Sequence, residues 1–177
     1  IDSKCLWGAK LGRSAGSSFM STRISWDEVF FAIVDLISKR STCLKRQFGA
    51  VIVRDTRIIS MGYNGAPSGC KHCEVCSRKG AAAGTLSELC RSTHAEINAI
   101  LNAARIGVST ENATMYVSHY PCTNCCKAII NSGIVEIRYL EDYSGSELGR
   151  NLIFESRVSV VNCGSKLEES VVYSALV

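Results

Sequence analysis

Two short runs in this chain carry groups able to hold a metal and to move protons. His94-Ala95-Glu96 supplies an imidazole and a carboxylate, and Pro121-Cys122-Thr123-Asn124-Cys125 supplies two thiols at a Cys-x-x-Cys spacing. One His with two Cys is a three-ligand zinc set that leaves a tetrahedral position for water, as catalytic sites do, whereas structural sites are closed by four protein ligands. Each run opens a stretch with helical periodicity, and the amide-rich helix N-terminus at Cys122 would stabilise a thiolate there. Glu96 stands two residues beyond His94 and so off its face of the helix, pointing from the first turn toward the space over the metal. A carboxylate there can take a proton from activated water and deliver it to a ring nitrogen and a leaving amine. Cys126 adjoins Cys125, leaves the helix in another direction, and reads as a buried small residue.

The elements that must position these groups can be read from local pattern. Ser25-Trp-Asp-Glu28 is a capping box opening an amphipathic helix to about Lys39, with Val29, Ile33, Leu36 and Ile37 on one face. The β-branched runs Phe48–Val53 and Arg57–Met61 flank Arg54-Asp55-Thr56 and predict a hairpin. The loop Gly62–Gly69 follows, then about 25 Cys/His-rich residues without periodicity. A helix is expected over about 93–105, with apolar Ile97, Ile100, Leu101 and Ala104, ending at Gly107. A strand at 114–118, a helix at about 123–132, a strand at 135–140, a helix at about 146–155 and a strand at about 158–161 complete the order αββαβαβαβ. That order predicts a three-layer α/β/α domain on a five-stranded mixed sheet, its last three strands parallel through helical crossovers.

Composition narrows the class of protein. A chain of 177 residues, 46% hydrophobic with two prolines, can bury one core and is neither disordered nor fibrous. No apolar run approaches the roughly 20 residues that span a bilayer, so a soluble, cytoplasmic protein is expected. The chain begins at Ile1, and residues 1–19 are Gly/Ser-rich without periodicity. They read as a leader or disordered tail ahead of a start at Met20, a signal peptide being disfavoured by the missing apolar core, and 20–177 as a single domain. Without Lys4, Lys10, Arg13 and Asp2 the formal charge drops from +4 to +2, too weak for a polynucleotide-binding face, so no nucleic-acid partner is expected. Ten cysteines can mean disulfides or metal; the two Cys-x-x-Cys spacings, at Cys73/Cys76 and Cys122/Cys125, favour metal.

The His-x-Glu and Pro-Cys-x-x-Cys pair is the signature of zinc deaminases that act on bases. Around it, Arg40-Ser-Thr-Cys43, Gly49–Val53, Gly62-Tyr-Asn-Gly-Ala-Pro-Ser-Gly69, Cys90–Glu96 and Pro121–Cys125 resemble deoxycytidylate deaminases, above all the short phage and bacterial forms, over about residues 25–162. The resemblance implies a cytidine-deaminase-like fold and hydrolysis of dCMP to dUMP and ammonia for thymidylate synthesis. It also implies a homohexamer, and regulation by dCTP and dTTP with Mg²⁺. Carried over residue by residue, it puts Asn64 and Asn98 on the sugar or base and Tyr120 against the base or ribose, with His119 a weaker contact. Lys45 and Arg46 are candidates for the phosphate, and Arg105 for nucleotide or a subunit interface. Phage relatives carry a second, structural zinc, for which Cys43, Cys73, Cys90 and Cys76 are the candidates here, with His72 the alternate to Cys76. Cys5, Cys70 and Cys163 have no assignment. Another cytosine substrate (a nucleoside, dCTP, a 5-modified dCMP or nucleic acid) and a non-catalytic zinc and nucleotide module are the competing readings.

Overall fold

A computed structural model describes residues 23–82, 85–143 and 146–164. The leader at 1–19, the start at Met20 and Cys5 lie outside the described residues. The elements are α1 (Trp26–Ser38), β1 (Gly49–Arg54), β2 (Arg57–Tyr63), a 3-10 turn (Ser87–Leu89), α2 (Ala95–Arg105), β3 (Thr114–His119), α3 (Thr123–Asn131), β4 (Glu136–Glu141), α4 (Glu147–Ser156) and β5 (Ser159–Asn162). The sheet order is β2-β1-β3-β4-β5; β1 is antiparallel to both neighbours, and β3, β4 and β5 run parallel. This is the expected α/β fold on a five-stranded mixed sheet.

Local chemistry explains the ends of the elements. The capping box at α1 is present: Glu28 N–H donates to Ser25 Oγ at 3.2 Å and Ser25 N–H to Glu28 Oε2 at 2.6 Å. The hairpin turns through Asp55 and Thr56, both at positive φ (51° and 60°), the backbone that matches the twist of two antiparallel strands.

Strand β1 is buried on both faces because helices cover both. Val51 and Val53 pack toward α1 with Phe30, Phe31, Val34 and Tyr116, while Ala50 and Ile52 join Ala95, Ala99, Met115, Ile129 and Ile137 on the side of α2 and α3. Two expected faces are corrected here. In α1, apolar residues surround the axis, and the rings decide: Phe30 and Phe31 sit 5.0 and 5.2 Å from Tyr116, leaving Leu36 67% exposed and Val29, Ile33 and Ile37 at the margin. In α2, the buried stripe is Ala95, Ala99 and Ala103, while Leu101 and Ala104 face outward. The cause is Gly62 in β2, where an added Cβ would lie 2.3 Å from Ala95 O and 2.4 Å from Ala99 N. Helix and strand approach backbone to backbone, and only small residues fit between them. Among the described residues no helix is long and apolar enough to cross a membrane.

Candidate metal centre and active site

β3 runs through Tyr120 and Pro121 into α3, and α2 begins beside that junction, so two helix N-termini meet near the carboxyl end of a parallel strand pair. Ligand sites in α/β sheets form at such ends. His94 is the N-cap of α2 and Cys122 the N-cap of α3; both have extended backbone (φ/ψ −71°/155° and −68°/165°) and neither side chain is used to cap its own helix. Both are therefore free to face one another, and Cys125 joins them from the first turn of α3. Gly65 and Thr93 exchange backbone hydrogen bonds (3.2 and 2.9 Å), tying the loop after β2 to the chain entering α2.

His94 Nδ1 lies 3.4 Å from Cys122 Sγ and 3.3 Å from Cys125 Sγ, and the sulfurs are 3.6 Å apart. A tetrahedral zinc with ordinary Zn–S and Zn–N bond lengths sets S···S near about 3.8 Å and N···S near about 3.5 Å. The three donors therefore stand at the spacing such an ion requires. Their charges agree. Hydrogen bonds from Cys125 and His94, acting against burial, draw the Cys122 thiol down to about 4, and the Cys122 sulfur raises His94 to about 9. A second thiolate is disfavoured, since hydrogen bonding to Cys122 and burial push Cys125 well up. An anionic sulfur held by a protonated imidazole is the arrangement that a bound divalent cation would take over. Among the described residues this is the one group of three or more such ligands within 4.8 Å of one another.

Glu96, in the first turn of α2, faces the same cavity as His94 and Cys122. Burial pushes its pKa upward, while His94 pulls the other way. The cavity, about 590 Å³, is also lined by Asn64, His119 and Tyr120, by Lys45 and Arg46, and by Phe48, Thr93 and Arg78. It falls within the roughly 300–1,000 Å³ range of small-ligand pockets.

The other expected residues divide. Asn64 lines the cavity but is 4% exposed, and its amide is committed: Oδ1 accepts from Phe48 N–H (2.8 Å) and Nδ2 donates to Arg46 O (2.9 Å). It shapes the wall by fixing two backbone segments. Asn98 lies outside the cavity lining and pins α2 to β2 through Nδ2 to Tyr63 O at 2.8 Å. Tyr120 is buried, edge-on to Tyr139, with the Arg150 guanidinium 3.9 Å over its ring. Arg105 is exposed and outside the lining. Cys126 is fully buried, as expected, with Sγ directed to Pro121 O.

Cys43, Cys70, Cys73, Cys76, Cys90, Cys122, Cys125 and Cys126 form no disulfide. Cys43, Cys76 and Cys90 line the cavity, Cys73 does not, and His72 and Cys70 are exposed. Cys43, Cys73, Cys76 and Cys90 come from separate turns of irregular chain and do not gather at ligand distance, so no second zinc cluster forms among the described residues. Local pattern gave no sign of Phe48, Thr93 or Arg78, because long-range pairing brings them to the cavity.

The family model of the cytidine and deoxycytidylate deaminase zinc-binding region matches residues 24–141. ComE operon protein 2 of Bacillus subtilis is 42% identical over 153 residues, covering 85% of this chain and 76% of that protein. Deoxycytidylate deaminase of Schizosaccharomyces pombe is 41% identical over 126 residues, 69% of this chain but 39% of the longer yeast protein. Among solved structures, dCMP deaminase of the cyanophage S-TIM5, in complex with dCMP and dUMP, superposes with TM-score 0.66 at 26% identity, over 76% of this chain and 94% of that one. With the donor set, its cavity and this match spanning most of the described chain, the protein belongs to the cytidine and deoxycytidylate deaminase family.

Proposed function

We propose that this chain hydrolyses dCMP to dUMP and ammonia. The observation that carries the reading is the His94/Cys122/Cys125 set at zinc-ligand spacing, with His94, Cys122 and Glu96 lining one cavity. His94 through Nδ1 and the two sulfurs would hold the zinc, which when bound supplies the Lewis acidity that makes water nucleophilic near neutral pH. Glu96 does the proton work. Its carboxylate accepts a proton from the attacking water, passes it to N3 of the cytosine ring, and moves the next to the leaving amino group as ammonia departs. Burial shifts its pKa upward from the ordinary carboxylate value, the direction that helps it give back a proton once taken. The buried Tyr120, clamped between Arg150 and Tyr139, forms a rigid apolar wall on which a base can rest.

dCMP is chosen over other cytosine compounds because deoxycytidylate deaminases are among the similar proteins and because arginines that can meet a phosphate line the cavity. Regulation by dCTP and dTTP with Mg²⁺, assembly into a hexamer and service to thymidylate synthesis belong to the same proposal and rest on the family resemblance. Glu96→Gln tests the mechanism. The variant should keep its zinc, measured by elemental analysis, and lose about 10²–10⁴-fold in ammonia release from dCMP. Turnover at the wild-type rate would end the assignment of Glu96, and a wild-type preference for cytidine, deoxycytidine or a cytosine oligonucleotide would end that of dCMP.

A further inference from the structure

The Cys-rich segment after the Gly62–Gly69 loop contributes Cys76, Arg78, Ala81 and Glu88 to the cavity wall. Apart from the 3-10 turn at Ser87–Leu89 its described residues form no helix or strand, so side-chain bonds help to hold them in place. Lys45 is the principal tie: its ammonium donates to Arg78 O at 3.2 Å and to Ala81 O at 2.7 Å, across 33 and 36 residues of chain. Ser77 Oγ adds a bond to Leu89 O at 2.8 Å. Lys45 is thereby occupied with backbone carbonyls, which leaves Arg46 and Arg78 as the cavity-lining arginines.

The two differ. Arg46 is exposed, whereas Arg78 is half-buried, and its Nε is shielded from solvent without a hydrogen-bond partner. No carboxylate lies within ion-pair distance of Arg78 among the described residues, including Glu88 on the same wall. A guanidinium on the cavity wall without a carboxylate partner keeps its charge for an anionic ligand that enters the cavity. The planar fork of Arg suits the oxygens of a phosphate, which accept two parallel hydrogen bonds.

We propose that Arg78, carried on a loop fixed by Lys45, recognises the 5′-phosphate and sets the preference for a nucleoside monophosphate over a nucleoside. The proposal rests on the function proposed above. Lys45, a candidate phosphate ligand by sequence, becomes a positioning residue that acts through Arg78.

The test compares Arg78→Ala, Arg78→Lys and Lys45→Met with wild type, all zinc-loaded, on dCMP and deoxycytidine. The ratio of kcat/KM for dCMP to that for deoxycytidine should fall about 10- to 100-fold in Arg78→Ala, from the loss of charge-assisted hydrogen bonds. Arg78→Lys should recover part of the ratio, and Lys45→Met should lower it in the same direction. Inorganic phosphate should compete with dCMP less well in Arg78→Ala than in wild type. An unchanged ratio in Arg78→Ala, or equal loss on both substrates, overturns the proposal. Should Arg78→Ala fail to fold, Arg78→Gln carries the same comparison. Direct titration with inorganic phosphate and dUMP separates the two levels: weakened phosphate binding in Arg78→Ala would stand even if wild type released no ammonia from dCMP, an outcome that would overturn the functional reading alone.

Discussion

Replacing Gly62 with Ala should damage the metal centre from a residue that touches none of its ligands. The new Cβ would sit 2.3 Å from Ala95 O, 2.4 Å from Ala99 N and 3.0 Å from Ala99 Cα, all backbone atoms, whereas ordinary contact begins near 3.4 Å. No side-chain rotation relieves this, so α2 must retreat from β2 by about 1 Å, enough to forfeit a quarter to a half of the dispersion energy at the contact. Overpacking of this kind costs about 1–3 kcal/mol. The retreat carries His94 and Glu96, which begin α2, while Cys122 and Cys125 stay with α3. Zinc sites tolerate ligand errors of about 0.2 Å, and a 1 Å misplacement of catalytic groups costs about 10²-fold in rate. Denaturant unfolding, zinc titration against a competing chelator and an ammonia assay on dCMP should therefore all move together in Gly62→Ala. Met61→Ala, on the outward-facing neighbour that is 40% exposed, should move none of them by a comparable amount. A Gly62→Ala protein with wild-type stability and zinc affinity would refute the claim that this close approach positions the centre.

Cys125→Ala should lose its bound zinc, while Cys126→Ala should keep it and lose only about 1 kcal/mol of stability from a small cavity; elemental analysis of the two purified variants distinguishes ligand from neighbour. Asp27 joins α1 to the sheet through Arg138 Nη1 (2.8 and 2.6 Å to its two oxygens) and Tyr116 OH (2.8 Å). Asp27→Ala should cost about 1–2 kcal/mol in denaturant unfolding, discounted because both ionic side chains are near a third exposed, with zinc content unchanged. His119 gives a pH prediction. Its Nε2 lies 3.2 Å from Glu141, but burial, with Arg46 nearby, outweighs that carboxylate and holds the imidazole below its ordinary 6.5. On the other side of the ring, Nδ1 is buried and unpartnered. The unfolded chain binds this proton more tightly, so stability is complete above about pH 6.5 and falls as pH drops through the lower folded value. Melting temperatures between pH 7.5 and 5 should decline more steeply for wild type than for His119→Gln, and parallel curves would contradict the assignment.

What could be read from the sequence is what short-range geometry causes. Ser25 and Glu28 close a capping box because they are three residues apart, and His94 and Cys122 face each other as extended N-cap residues at two helix starts. Two facts of the fold escaped that reasoning for one physical reason. The helix α2 shows Ile97, Ile100 and Leu101 to any periodicity argument, yet it turns Ala95, Ala99 and Ala103 inward because Gly62, more than 30 residues earlier in the chain, has no side chain to hold it off. Asn64 and Asn98 are placed on the sugar or base by family resemblance, and no local pattern shows that their amides are engaged by backbone groups of Arg46, Phe48 and Tyr63, which become neighbours only when the sheet forms. Arg78 is the converse, invisible in an irregular segment until Lys45 fastens its loop against the cavity. Zinc ligands obey bond lengths of a few ångströms and so leave a spacing signature in the chain. Substrate contacts are distributed over whichever loops the fold happens to bring to the cavity, so under the proposed function the chemistry at the metal is local information and the choice of nucleotide is tertiary.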